Sequence, residues 1–352
     1  MSHTSRIFRY SILLILWFPV GLVYAQGLGL GTLDDPVQRW PTAPPDSFGL
    51  DTAALAEHAQ LCEDSAAVAC LVAYKGYIVQ EWKQLDYDYA PFVGTASATK
   101  AITALIVGML IDDGHIASVD APVGTYLPEW QAGVDSSVTV RHLLTMTAGL
   151  GRLRPFESVL AAKNTTSFVL GLPLDRTPGE RWSYSNEGVQ LLSPLMQNAS
   201  GMPVATYARE RLFDPLGMRV THFYVDEYLN TVTFGAMETM LSEFARLGQL
   251  ILNQGTWNGT RILSESWIEA LAEPSPQNAY YGKLWWVFDD AIVAAGDGDR
   301  ILAVLPQKDV VAVRLQRGGI MPGRATASYF NDRGRMHGAA LDILRRVVPE
   351  KD

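Results

Sequence analysis

Strand-like segments stand at the two ends of this 352-residue chain, and helix-like segments fill the middle. Val68–Tyr74 and Tyr77–Trp82 are rich in β-branched and aromatic residues, and Lys75-Gly76 between them is a hairpin signal. Lys283–Phe288, Ile292–Ala295, Ile301–Leu305 and Val310–Leu315 repeat that texture after Pro276. Val140–Met146, Gly188–Asn198, Val204–Leu212 and Thr239–Asn253 carry the helical period, as do Asp51–Leu61, Ser97–Asp113 and Met336–Val347. The close spacing of the last four strand runs suits an antiparallel sheet and argues against a doubly wound parallel one. The expected fold is α+β: one antiparallel sheet built from both ends of the chain, flanked by helices, with a helical domain inserted. Its α/β part covers about 50–114 and 277–352, and the insertion about 115–276.

The first 49 residues are read separately. Arg6 and Arg9 precede an apolar run from Tyr10 to Tyr24, and Val23-Tyr24-Ala25 suits a cut before Gln26. Residues 1–25 are therefore expected to be a signal peptide and 26–49 an extended leader containing several Pro and Gly. The apolar run is short for a spanning helix of about 20 residues, so no stable membrane anchor is expected after cleavage. The protein is expected in the periplasm or secreted. The net charge of −9 becomes −11 without Arg6 and Arg9 of the signal peptide, since residues 1–25 hold no acid. That charge makes nucleic acid and anionic lipid poor partners. Cys62 and Cys70 could pair in an oxidising compartment or could be two small buried side chains, and sequence alone leaves both open.

Ser97-Ala98-Thr99-Lys100 opens the most apolar helix. A serine and a lysine three positions apart share a helical face, so a neutral amine can take the proton of the hydroxyl. Taken alone, Ser97 serves equally well as a helix cap. The chain has no Gly-x-Ser-x-Gly elbow, no His-Glu-x-x-His and only scattered histidines, so no metal or other cofactor is expected. Tyr184-Ser185-Asn186 supplies a phenol that can relay a proton and an amide that can hold a carbonyl. Tyr228–Asn230 and Tyr329–Asn331 share the spacing, but only Tyr184 follows a Pro178-Gly179 turn with Trp182 to anchor the loop.

Together these segments resemble a known family. Gly94 through Lys100 is similar to the nucleophile region of class C β-lactamase-like serine hydrolases, a group that includes penicillin-binding DD-peptidases, esterases and 6-aminohexanoate-dimer hydrolases. Val140 through Leu150, with His142, resembles its second hallmark, and Pro178-Gly179 through Asn186 its third. The resemblance covers about Asp51 to Gln316. It implies a β-lactamase-like sheet with a helical domain and the site between them. It implies that Ser97 forms an acyl-enzyme, that Lys100 acts as base, that Tyr184 shares the proton transfer and that Asn186 positions substrate. It gives His142 a structural role.

One hallmark departs. Family members carry Lys-Thr-Gly or His-x-Gly on a strand near the C-terminus, and this chain has neither. Gly296-Asp297-Gly298-Asp299-Arg300 fits by position, which would put Asp297 in the place of the cation and let the Arg300 N–H help bind an oxyanion. An acid there would repel substrate carboxylates. The expected function is exported serine hydrolase of a small-molecule ester or amide. A DD-peptidase or β-lactamase, or a binding protein on the same scaffold that does not catalyse, are the alternatives.

Overall fold

The computed structural model describes residues 40–317 and 339–350, apart from 66, 135–136, 151–158 and 160. The signal-peptide run and the leader up to 39 lie outside the described residues. In the rest of the leader, Trp40 donates its indole N–H to the Gly76 carbonyl at 2.7 Å, Thr42 bridges to Ile78, and Pro45–Phe48 makes a 3-10 turn. These residues are docked along the edge of the sheet.

The strands are β1 (Ala69–Tyr74), β2 (Tyr77–Lys83), β3 (Val93–Gly94), β4 (Glu238–Thr239), β5 (Thr256–Trp257), β6 (Thr260–Arg261), β7 (Trp286–Val287), β8 (Ile292–Gly296), β9 (Arg300–Leu305) and β10 (Val310–Leu315). Six of them form one antiparallel sheet in the order β2-β1-β10-β9-β8-β7, so the two chain ends meet at the β1–β10 pair, Ala69 opposite Leu315. β3 pairs with β4, and β5 with β6, in two small ribbons. The helices that matter here are α1 (Thr52–Asp64), α2 (Thr99–Asp112), α3 (Val140–Leu144), α4 (Asn186–Gln190), α5 (Leu192–Ser200), α6 (Leu241–Leu252) and α7 (Ala339–Val347).

Both sheet faces are covered. Leu71, Leu302, Val304, Val311 and Val313 join the core that contains α2 and α6, whereas Val72, Ile301, Ala303, Val310 and Ala312 join a second core with α1 and α7. This explains why β1, β9 and β10 read as apolar runs, interrupted only by Arg300 and Arg314, rather than alternating ones. The helix α2 is buried almost all round. Trp267 donates its indole N–H to the Ala104 carbonyl at 3.1 Å, and Trp285 donates to that of Ala101 at 3.2 Å. Two tryptophans therefore fix the rotation of the helix that Ser97 precedes.

Two elements differ from the sequence expectation. The helix expected over Gly188–Asn198 is two, α4 and α5, meeting at Leu191. Pro194 is the cause, because it has no N–H for the Gln190 carbonyl and its ring crowds that carbonyl. The strand expected over Lys283–Phe288 shrinks to Trp286–Val287. Leu284 adopts φ 62°, which breaks the extended backbone, and Trp285 turns into the core.

Cys62 and Cys70 form a disulfide that ties α1 to β1, with 6.4 Å between their α-carbons. Beside it His58 is fully buried, bonded through Nδ1 to Gln80 at 2.7 Å. Burial first, and then the nearby Arg314 charge, holds His58 at about 4, against the Gln80 bond. A neutral buried imidazole means that below the ordinary histidine pKa of 6.5 the unfolded chain binds a proton that the native state refuses. Stability is expected to fall by about 3 kcal/mol from this group as pH drops from 6.5 towards 4. Urea unfolding at pH 7.0 and pH 4.5 checks this: His58→Gln, whatever its absolute stability, should lose that part of the acid slope.

Candidate active site

A single 3-10 turn, Ala96–Ala98, joins β3 to α2 and carries Ser97. Ala96 sits at φ 47°, a left-handed backbone that costs a non-glycine residue on the order of 1 kcal/mol. Neighbouring bonds hold it there. The Thr95 N–H and hydroxyl both donate to the Met237 carbonyl, at 2.8 and 3.0 Å. The Thr99 hydroxyl donates to the Ala96 carbonyl at 2.6 Å and accepts from the Met237 N–H at 3.1 Å. Two buried threonines thus fasten the Ser97 turn to the chain just before β4.

One helical turn on, Lys100 Nζ donates to Ser97 Oγ at 3.0 Å and to the Phe234 carbonyl at 2.5 Å. The centre of the Tyr184 ring lies 5.0 Å from Nζ and that of Phe234 5.6 Å. Tyr184 also favours the charged form of the amine. Ser97 keeps partial access to solvent, while Lys100 is 1% exposed. Burial pushes the Lys100 pKa below the ordinary lysine range, opposed by Tyr184 and by the Glu187 charge. The result is a reachable hydroxyl hydrogen-bonded to an amine that gives up its proton more readily than a free lysine.

Tyr184 and Asn186 arrive on the extended segment that leads into α4. Ser185 caps that helix, its hydroxyl accepting the Gly188 N–H at 3.0 Å, and Asn186 follows as the first helical residue. Asn186 is buried and its Oδ1 has no hydrogen-bond partner, an uncommon state for a buried amide. Trp182 anchors the segment as the sequence suggests. Its ring centre is 6.3 Å from that of Tyr184 and 5.5 Å from that of Tyr281, and Tyr281 packs edge-on to Trp286 at 4.9 Å. Burial, and then Tyr184, pushes the Tyr281 phenol well above its ordinary pKa, so it stays neutral.

His142 is spent on structure. Its Nδ1 accepts the Thr139 N–H at 3.1 Å, and the Thr139 hydroxyl accepts the His142 N–H at 3.4 Å, closing a capping box at the start of α3. The Pro178-Gly179 turn passes over its ring: Gly179, at φ 82°, would bring a β-carbon to 3.2 Å from His142 Nε2. Among the described residues no group of three or more His, Cys, Asp and Glu side chains could hold a metal ion.

The expectation for Asp297 needs correction. Gly296, not Asp297, meets the nucleophile turn, for a β-carbon on Gly296 would lie 2.2 Å from the Thr95 carbonyl oxygen and 3.1 Å from the N atoms of both Ser97 and Ala98. A motif ending in that glycine reads Ala294-Ala295-Gly296, so the place of the cation falls to Ala294. Ala294 is buried on the same sheet face as α2. Asp297 is exposed in the hairpin turn between β8 and β9. Arg300 stands on β9 opposite Gly296 and bonds back to the Asp297 carbonyl, within its own hairpin. The cation's place thus lies three residues before Asp297, a register that the sequence does not reveal because the turn, unlike the strand faces, carries no periodicity.

Several contributors were missed. The Phe234 carbonyl is a backbone atom and has no side-chain signature. Thr95 and Thr99 lie inside the nucleophile motif but show their role only through Met237. Glu187 could have been noticed as an acid placed at the start of an otherwise apolar helical run.

A family model for β-lactamase matches residues 92–330, about two thirds of the chain. The esterase EstB of Burkholderia gladioli is 30% identical over 214 residues, which are 50% of this chain and 53% of the esterase. The chain therefore spans about half the length of that relative. A candidate 6-aminohexanoate-dimer hydrolase from Bacillus anthracis superposes with TM-score 0.65 at 21% identity, covering 80% of this chain and 83% of that one. A penicillin-binding protein from Bacillus halodurans gives TM-score 0.61 at 19% identity, with 74% and 96% covered. At those identities the two structures establish a shared β-lactamase/transpeptidase-like fold.

Gly296→Ala tests the register. The added methyl must displace the Ser97 turn, since its nearest neighbours are backbone atoms. The expected outcome is a loss of roughly 100-fold in ester turnover, with a fall in unfolding free energy of about 1–3 kcal/mol. Asp297→Ala, in the exposed turn, should leave both nearly unchanged.

Proposed function

The chain belongs to the β-lactamase family, and from that premise we propose an exported serine hydrolase that opens an ester or amide bond through an acyl-enzyme on Ser97. The observation that carries this is the 3.0 Å contact between a solvent-reachable Ser97 Oγ and a buried Lys100 Nζ. Ser97 Oγ attacks the substrate carbonyl carbon while its proton passes to the Lys100 lone pair. The Phe234 carbonyl is an acceptor only and holds one Lys100 N–H; in the neutral amine the contact with Ser97 reverses, the serine hydroxyl donating to the Lys100 lone pair. Tyr184 returns a proton to the leaving alkoxide or amine. Water, deprotonated by the same pair, then attacks the acyl-enzyme and frees Ser97. The backbone N–H of Ser97, on the turn that Gly296 at the end of β8 approaches, is the first candidate to hold the oxyanion. Asn186, with its unpaired amide oxygen, is the group to bind a substrate N–H or hydroxyl.

The substrate expected is a neutral small molecule. Ala294 offers no cation for a carboxylate, and Arg314 is committed to Ser65, Gly298 and Asp299. This favours simple esters and amides over β-lactams and over peptides ending in a free carboxylate. Resemblance to an esterase supports the same direction. The Cys62–Cys70 disulfide supports export to the periplasm or outside the cell, where such bonds persist.

Labelling with a fluorophosphonate, followed by peptide mapping, should place the adduct on Ser97. Ser97→Ala should lower nitrophenyl-ester turnover at least on the order of 1,000-fold while the protein stays folded; retained turnover would refute the assignment. Because Lys100 must be neutral to act, kcat/KM should rise with pH along a limb centred below the ordinary lysine range. A panel of matched neutral and anionic acyl esters should show preference for the neutral ones. A burst with a chromogenic cephalosporin would point instead to a penicillin-recognising enzyme.

A further inference from the structure

Arg314 takes no part in the chemistry above, yet it is a cation on β10 with only 1% of its surface exposed. Burying a guanidinium is costly unless its N–H groups are filled. Here they are filled from two separate segments. On one side Nε donates to the Ser65 hydroxyl at 3.1 Å and Nη2 to the Ser65 carbonyl. On the other, Nη1 donates to the carbonyls of Gly298 and Asp299, at 3.0 and 2.7 Å.

The Ser65 side leads to the disulfide. Ser65 ends α1, and its hydroxyl donates in turn to the Cys62 carbonyl at 3.3 Å. It lies within the loop that Cys62 and Cys70 close, and Cys70 stands opposite Arg314 in the β1–β10 ladder. The other side leads to Ser97. Gly298 and Asp299 belong to the turn between β8 and β9, at φ 72° and 53°. Asp299 pays for that left-handed backbone, and Arg314 holds the carbonyls it presents. The same hairpin begins at Gly296, which lies so close to the backbone of the Ser97 turn that no β-carbon fits between them.

We propose that Arg314 is a positioning residue: anchored on the loop closed by the disulfide, it fixes the β8–β9 hairpin and, through Gly296, the backbone of the Ser97 turn. For its effect on turnover the inference rests on the Ser97–Lys100 reading above. A buried guanidinium suits this task because its planar fork can hold acceptors on two sides at once, which a lysine ammonium on a single stem does poorly. The disulfide then does more than staple α1 to β1, since it sets the acceptors from which Arg314 is hung. The competing role is stability alone, in which Arg314 ties down buried carbonyls and the folded active site is the same without it.

Backbone amide NMR on the whole protein separates the two roles, because shifts report the folded state whatever its stability. In Arg314→Met the signals of Gly296, Ser97 and Ala98 should move, as well as those of Ser65, Gly298 and Asp299. Turnover of a nitrophenyl ester should lose roughly tenfold in kcat with KM within about twofold, as expected when a transition-state donor is misplaced. The disulfide-free protein, Cys62→Ala with Cys70→Ala, should move the same signals. Adding Arg314→Met to it should cost no more than about a further twofold, because both changes cut one line of contacts. Arg314→Lys decides the matter if the methionine variant does not fold, and should move the same signals less. Shifts confined to Ser65, Gly298 and Asp299, or losses from the two changes that multiply in full, overturn the proposal and leave Arg314 a buried tie. The amide signals need no turnover. Loss of the hydrolase reading, through absent labelling at Ser97, is therefore distinguishable from loss of this one.

Discussion

A lysine amine held out of water against a serine hydroxyl is the constraint on which the rest of this structure depends. Left alone, Lys100 would turn to solvent, because an ammonium gains far more from hydration than from one hydroxyl contact. It stays because α2 is enclosed on nearly every side and because the Phe234 carbonyl and Tyr184 meet it there. The Ser97 turn must remain open to solvent while the next helical turn is sealed. A 3-10 turn running directly into an α-helix achieves this within four residues.

The sheet and its two cores keep that arrangement fixed. β8 brings Gly296 against the Ser97 turn, so the position of Ser97 depends on a strand that pairs with β9, one of the two central strands of the sheet. The α1 and α7 helices close the far face, and the disulfide joins α1 to β1. On the near face Trp267 and Trp285 each spend an indole N–H on an α2 carbonyl. These are bonds to acceptors already engaged in the helix, and they set its rotation as well as its position. The loop with Tyr184 and Asn186 is held separately, by the Ser185 cap and the Trp182 ring cluster. Ser97, Lys100 and Tyr184 therefore come together from independent supports.

Local chemistry was legible in the sequence where a residue's role depends on near neighbours. The Ser97–Lys100 spacing, the Pro178-Gly179 turn and the helical period of α2 and α6 are of this kind. The hairpin at Lys75-Gly76 and the runs of β1, β9 and β10 also read correctly. The misreadings share a cause. Pro194 splits a helix at a position where the apolar period continues unbroken, and Leu284 breaks a strand whose composition favours one. The third motif slipped because a hairpin turn has no side-chain alternation to set its register, so only the approach of Gly296 to the Ser97 turn identifies the glycine.

By itself the sequence determined the order of strands and helices, the pairing of Ser97 with Lys100, and the sign of the overall charge, because each follows from spacing or composition within a few residues. Tertiary structure alone decided that Cys62 meets Cys70, that Ala294 rather than Asp297 stands in the place of the missing cation, and that Lys100 is buried against the Phe234 carbonyl. Those are matters of distance between segments far apart in the chain. They depend on how the faces of the sheet are filled, which no local pattern of residues encodes.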